Sequence, residues 1–215
     1  MMKKIILGIL LLCSVNSNAQ ELRINTYASY TLSNRINGHK SLLEYYDGRI
    51  KSTYLWGAGL ELATEGLNVE LKYLHGDAKA PITHYENGTV NYPNFDVSMN
   101  YILLNPKGMF FDDVDHLEAY VGLNIGAAWF ELKSPLYAKS STFGHIAWGV
   151  NAGVNYWFTE RFGAKLQAEM ISTIQDVSIF ATFGSGGSGL GVSTSSSFYQ
   201  LNFGGGLMFR LTSKY

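Results

Sequence analysis

Cysteine is nearly missing from this 215-residue chain; the one present is Cys13. It lies in the apolar run 5–13, behind the basic start Met1-Met2-Lys3-Lys4. That run is too short to cross a bilayer. Ser17-Asn18-Ala19 follows with the small residues a signal peptidase reads, so residues 1–19 read as a secretory signal peptide and 20–215 as one mature domain. Leu12 is too large for the position before a lipoprotein cysteine, so Cys13 leaves with the leader. A mature chain without thiols excludes disulfides and thiolate metal sites. It suits export through an oxidising compartment.

Net charge is also missing: 16 Lys and Arg against 17 Asp and Glu give −1, which removes the electrostatic case for nucleic acid. The mature sequence has no apolar run long enough for a membrane helix. Proline is scarce at 4 residues, whereas aromatics reach 14%, a composition that favours strands. Mean hydropathy near zero does not argue against a membrane. Barrel strands hide apolar residues among polar ones.

What is present is a two-residue rhythm that keeps restarting. Leu117, Ala119, Val121, Leu123, Ile125, Ala127 and Trp129 alternate with Glu118, Tyr120, Gly122, Asn124, Gly126 and Ala128. Period two means a strand with one face in an apolar medium. Seven further stretches repeat it, at 22–32, 52–63, 67–73, 95–103, 146–158, 162–170 and 199–211. In the fourth, Phe95, Val97, Met99, Tyr101 and Leu103 read as outward against Asp96, Ser98 and Asn100, and Asn105-Pro106-Lys107-Gly108 reads as a break. Connections alternate between long polar ones and short turns such as Thr64-Glu65-Gly66 and Thr159-Glu160-Arg161. The prediction is all-β: an eight-stranded antiparallel up-and-down transmembrane barrel, with both termini periplasmic and long loops outside.

Aromatic positions test that register. Tyr30, Trp56, Tyr73, Phe95, Trp129, Trp148 and Tyr199 fall at the loop ends of outward faces. Tyr156, Phe158, Phe162 and Phe209 fall at the turn ends. Two girdles of this kind mark membrane interfaces.

The last strand carries Asn202, Gly204, Leu207 and Phe209, which resemble the signal read by the barrel assembly machinery. Segments 120–126 and 151–158 resemble the small outer-membrane β-barrel family that includes the OmpA barrel, OmpX and OmpW. The resemblance implies the fold and an outer-membrane location, with lipid and the assembly machinery as partners. It implies little about activity. A peptidoglycan-binding domain after the barrel is not expected, nor is anchoring to the wall through one.

The inward face holds Arg23, Glu61, Glu70, Lys72, Asp96, Glu118, Lys165, Glu169 and Arg210. An eight-stranded barrel is just wide enough for its side chains to fill. Unpaired charge there is costly, so ion pairs that plug the lumen are expected. The inward glycines either leave space or seat Tyr27, Tyr120 and Trp157. His39, His75, His84 and His145 map to the loop side without the spacing of a deacylase or a metal site. Asp112, Asp113 and Asp115 lack the glycine and spacing of a calcium loop. The stretch 184–189 reads as a mobile outer loop, and Tyr45, Tyr46 and Tyr85 are candidate contact residues of a kind common on exposed loops.

The chain is thus expected to be non-enzymatic, with no cofactor or metal. Its expected role is structural, or surface interaction through outer loops that meet an extracellular ligand or an envelope protein. The alternatives are a narrow porin-like channel for ions or small solutes, and an accessory barrel of a secretion or assembly system.

Overall fold

A computed structural model describes residues 21–41, 44–64, 67–86, 89–91, 94–114, 116–133, 140–184 and 187–212. The expected signal peptide, residues 1–19, lies outside the described residues, as do the side chains of His39, Tyr45, Tyr46, His84, Tyr85, Asp112, Asp113 and Asp115. All described elements are strands: β1 (Glu21–Thr31), β2 (Asn34–Ser41), β3 (Glu44–Ile50), β4 (Thr53–Ala63), β5 (Leu67–Glu86) and β6 (Thr89–Asn91). Then come β7 (Asn94–Val114), β8 (Leu117–Lys133), β9 (Ser140–Trp157), β10 (Phe162–Gly184) and β11 (Gly187–Arg210).

Eight of them close a barrel. The hydrogen-bonded order β4-β1-β11-β10-β9-β8-β7-β5 returns to β4, and every pairing is antiparallel. First and last strands meet along Arg23 opposite Arg210 through Thr31 opposite Asn202. Closure leaves no sheet edge inside a membrane, which a lipid-embedded backbone requires. The short strands β2, β3 and β6 extend β5 at one end only. That end is the loop end.

Tight connections mark the other, turn end. Thr64 N–H donates to Leu67 O at 3.2 Å, and Phe158 N–H to Phe162 O at 3.0 Å. His116 turns the chain from β7 into β8 with φ of 65°, in the left-handed region that usually favours glycine.

Outward faces are apolar: Leu123 is 60% and Leu166 67% exposed, in a belt with Leu60, Leu71, Ile125 and Phe203. A belt this continuous is suited to lipid and exceeds what a soluble monomer shows. At the turn end the rings of Tyr156, Phe158, Phe162 and Phe209 form a chain with centroids 5.2–5.6 Å apart. At the loop end Tyr30 packs on Tyr54, Trp56 on His75 and Tyr73 on Trp129. Trp148 and Tyr199 stand exposed on the same outward faces.

Three expectations are corrected. First, Asn105-Pro106-Lys107-Gly108 breaks nothing: β7 runs through it, because the extended backbone accommodates Pro106 opposite Val69. Second, β7 has the opposite facing. Met99, Tyr101 and Leu103 are fully buried inside, Phe95 packs against the same interior cluster, and Ile102 and Leu104 face out. Third, most of the long polar connections are strands. β5, β7, β10 and β11 run 20 to 24 residues, about twice what a tilted crossing needs. The 187–197 part of the glycine- and serine-rich segment belongs to β11, paired with β10.

Candidate functional site

The candidate site is the lumen, which is filled in two layers. The layer toward the turn end is charged. It gathers Arg23, Lys72, Lys107, Lys165 and Arg210 with Glu21, Glu61, Glu70, Glu118 and Glu169, five of each sign among the described residues. Equal numbers matter, because a surplus would leave a charge without a counter-ion in a medium that cannot solvate it.

The pairing follows from strand register. Arg23 on β1 stands opposite Glu61 on β4, which stands opposite Glu70 on β5. Two like carboxylates side by side need cations, and Lys107 on β7 reaches both, 2.6 Å from Glu61 Oε2 and 2.5 Å from Glu70 Oε2. Asn25 Nδ2 donates to Glu61 at 2.7 Å and to Glu70 at 2.9 Å, and Asn68 Nδ2 to Glu61 at 2.9 Å. Lys165 on β10 donates to the Tyr27 hydroxyl at 3.1 Å, and that hydroxyl donates in turn to Glu70. Its ammonium lies 5.0 Å from the Tyr27 ring centre and 5.8 Å from that of Tyr120, as cation–π contacts require.

At the turn-end mouth Arg23 holds Glu118 with two hydrogen bonds, 2.8 and 3.1 Å, and also pairs with Glu21. Arg210 reaches Glu21 at 2.5 Å. Trp157 takes both guanidinium groups against its ring, Arg210 at 4.2 Å and Arg23 at 5.0 Å. A cavity of about 10 Å³ there, bordered by Glu21, Arg23, Asn68 and Glu118, has room for about one water. Higher up, Lys72 pairs with Glu169, which also accepts from Asn124 Nδ2 at 2.9 Å.

Above that pair the character changes. Leu55, Leu74, Met99, Tyr101, Leu103 and Ile171 close the bore with side chains 0–1% exposed. Ala128, Phe130 and Ala147 belong to the same cluster. Tyr101 keeps its hydroxyl satisfied by donating to Gln200 Oε1. The lumen is therefore plugged twice, by ion pairs and by a largely apolar layer, and it is not an open channel.

Inward glycines seat the large groups. A Cβ on Gly153 would lie 2.6 Å from Tyr120 Oη, and one on Gly163 would lie 2.9 Å from the Trp157 ring. A Cβ on Gly59 would run into the Glu70 carboxylate. Tyr27 is likewise seated inside, at 4% exposure.

Of the nine charged residues expected inside, eight converge in this network and one does not. Asp96 is exposed on the outward face of β7, level with Lys79 and Lys133 near the loop end. Alternation alone puts it inward by giving Val97, Met99 and Tyr101 to lipid. They fill the apolar layer instead, so the polar partners of that alternation face out above the girdle. Sequence reasoning missed Lys107, Glu21 and the apolar layer. Lys107 shares the parity of Met99, Tyr101 and Leu103, so the reversed facing that buries those three brings it inside as well. Glu21 sits two residues before Arg23 and so shares its face.

Rim residues form their own network on the outside of the barrel. Tyr73 donates to Asn100 Oδ1 at 2.8 Å, His75 Nδ1 lies 2.8 Å from the same oxygen, and Ser98 donates to Asp77 at 2.6 Å. Among the described residues no group of three or more His, Cys, Asp or Glu is placed to hold a metal.

Neither a protein-family model nor a curated protein matches the sequence. Solved structures do match the fold. Neisserial surface protein A superposes with a TM-score of 0.55 at 13% identity, over 90% of this chain and 100% of that one. The outer membrane protein OprG from Pseudomonas aeruginosa gives 0.54 at 12% identity, over 92% and 99%. At such identities the likeness concerns the fold alone: this chain is an eight-stranded antiparallel barrel whose fold resembles those of the two outer-membrane proteins.

Proposed function

We propose that this protein is a structural and surface-contact barrel of a Gram-negative outer membrane, held in lipid by its apolar belt and acting through the strands and loops of its loop end. In this reading the loop end faces outward, both termini lie in the periplasm, and Asn202, Gly204, Leu207 and Phe209 are read by the assembly machinery. Its partner is an extracellular ligand or a neighbouring envelope molecule. The observation that carries the reading is the doubly plugged lumen, which leaves no aqueous path through the barrel. A rigid scaffold that does not conduct presents function where its connections project. Refolded protein, verified by a heat-modifiable gel shift, is expected to be silent in a planar bilayer, and cells carrying it are expected to lose surface binding when 175–198 or 35–49 is excised. Reproducible single-channel steps from the wild type would overturn the reading.

A further inference from the structure

β10 and β11 leave the barrel together. β9 pairs with β10 only as far as Ile146 opposite Ile174. β1 accompanies β11 only to Thr31 opposite Asn202, with Leu32 N–H donating to Leu201 O just beyond. The two strands nevertheless stay paired to Gly184 opposite Gly187. Their last stretch is a two-stranded ribbon about ten residues long, roughly 33 Å at the usual rise. Among the described residues no strand pairs with the outer edge of 175–184 or of 187–198. Each edge carries unpaired N–H and C=O groups at every second residue, a ladder that only another extended backbone matches.

Natural edges are guarded by charge, proline or bulges. The free edge of β2 at this end follows that rule, with Arg35 and Lys40. The ribbon has one charge, Asp176, no proline and an unshifted register. Residues 177–183, Val-Ser-Ile-Phe-Ala-Thr-Phe, are uncharged and β-prone throughout, as in segments that pair with copies of themselves.

Copies inserted in one membrane share one orientation. In all of them β10 runs toward the loop end and β11 away from it. The outer edge of β10 in one copy is therefore antiparallel to the outer edge of β11 in the next, the polarity in which they already pair within a chain. We infer that the ribbon is a self-association surface: β10 of one copy pairs head to tail with β11 of a neighbouring copy, extending one sheet across two barrels. This contact is heterologous, so it builds rows or rings of barrels. It rests on the reading that the loop end is the contacting end, and names a second copy as what it contacts.

The mature chain lacks cysteine once the leader is removed, so introduced thiols report cleanly. Two single-cysteine variants, Ser178→Cys on β10 and Ser193→Cys on β11, oppose each other within one ribbon. They are to be co-expressed in one outer membrane, with Asp176→Cys and Phe180→Cys as register alternatives to Ser178→Cys, and oxidised. The expected result is a disulfide-linked dimer from the β10–β11 mixtures, several-fold above either variant alone. Adding Ile179→Lys, or Phe183→Lys if the first does not fold, is expected to lower that yield about tenfold with the heat-modifiable shift unchanged. No mixed dimer in any register, dimers only between like variants, or an undiminished yield with the lysine would overturn the inference. The folded Ile179→Lys barrel separates the two readings: surface binding kept while cross-linking falls shows self-association and surface contact to be separate, whereas single-channel steps from the wild type would overturn the contact reading alone.

Discussion

Lys107 Nζ lies 2.5 Å from Glu70 Oε2, across the β5–β7 seam and well inside the barrel. The same ammonium lies 2.6 Å from Glu61, so one cation holds together two carboxylates that register sets side by side. Arg23 and Lys165 assist from farther off, 3.5 and 3.9 Å from Glu61. Lys107→Met should therefore leave two buried carboxylates under-compensated and cost roughly 3–5 kcal/mol, the usual consequence of removing one partner of a buried pair. Adding Glu70→Gln should recover part of that loss, because the pair repulsion goes with it. Urea unfolding in lipid vesicles, followed by the gel shift, measures both. A Lys107→Met barrel as stable as wild type would mean the network is hydrated and loosely coupled.

The two layers of the lumen make a separate prediction about conductance. Neutralising Glu70→Gln alone should leave the barrel silent, because Leu55, Met99 and Tyr101 still close the bore above it. Truncating the apolar layer alone, as in Met99→Ala with Tyr101→Ala, should also stay silent, since the charged layer remains. Combining the two should give measurable current in planar bilayers. Current from Glu70→Gln by itself would show that the apolar layer does not seal.

How much was legible follows from what each strand meets on both sides. β8 and β9 face lipid with one parity and, below the apolar layer, a lumen lined by polar residues and glycine with the other, so alternation assigns them without ambiguity: Leu123 and Val150 out, Asn124 and Asn151 in. β7 meets the apolar lumen layer on one side of its loop-end half and a polar rim on the other. Its pattern of Val97, Ser98, Met99, Asn100 and Tyr101 alternates just as well, with the meaning reversed. Periodicity gives the parity of a strand and not which medium lies on which side. Charge partners were harder still. Glu61 and Glu70 could be placed inside by parity, but that Lys107 holds both depends on strand neighbours far apart in sequence.

The facing of β7 is directly testable. Leu104 is 43% exposed on the lipid side, and Leu103 is fully buried. Leu104→Arg should cost roughly 2–4 kcal/mol if it lies near mid-membrane, as should Leu123→Arg. Single cysteines give a cleaner contrast. Ile102→Cys should react with a lipid-soluble maleimide and Tyr101→Cys should not. Labelling at position 101 and protection at 102 would restore the opposite facing.

Gly153 supplies the last test, because here a single hydrogen atom is replaced by carbon against three neighbours. An added Cβ would lie 2.5 Å from Leu166 O, 2.6 Å from Tyr120 Oη and 2.7 Å from Tyr120 Cζ. Tyr120 cannot swing away freely. Its hydroxyl donates to Gln167 at 3.1 Å, and Lys107 sits 5.2 Å from its ring centre. Gly153→Ala should thus push β10 and Tyr120 together out of place, costing about 1–3 kcal/mol as overpacking does. Gly144 is the control, since a Cβ there meets nothing within 4 Å. Because the clash has a backbone and a side-chain part, Tyr120→Leu should relieve only some of the cost of Gly153→Ala. Equal stability of the Gly153→Ala and Gly144→Ala barrels would show that Tyr120 is not seated on that glycine.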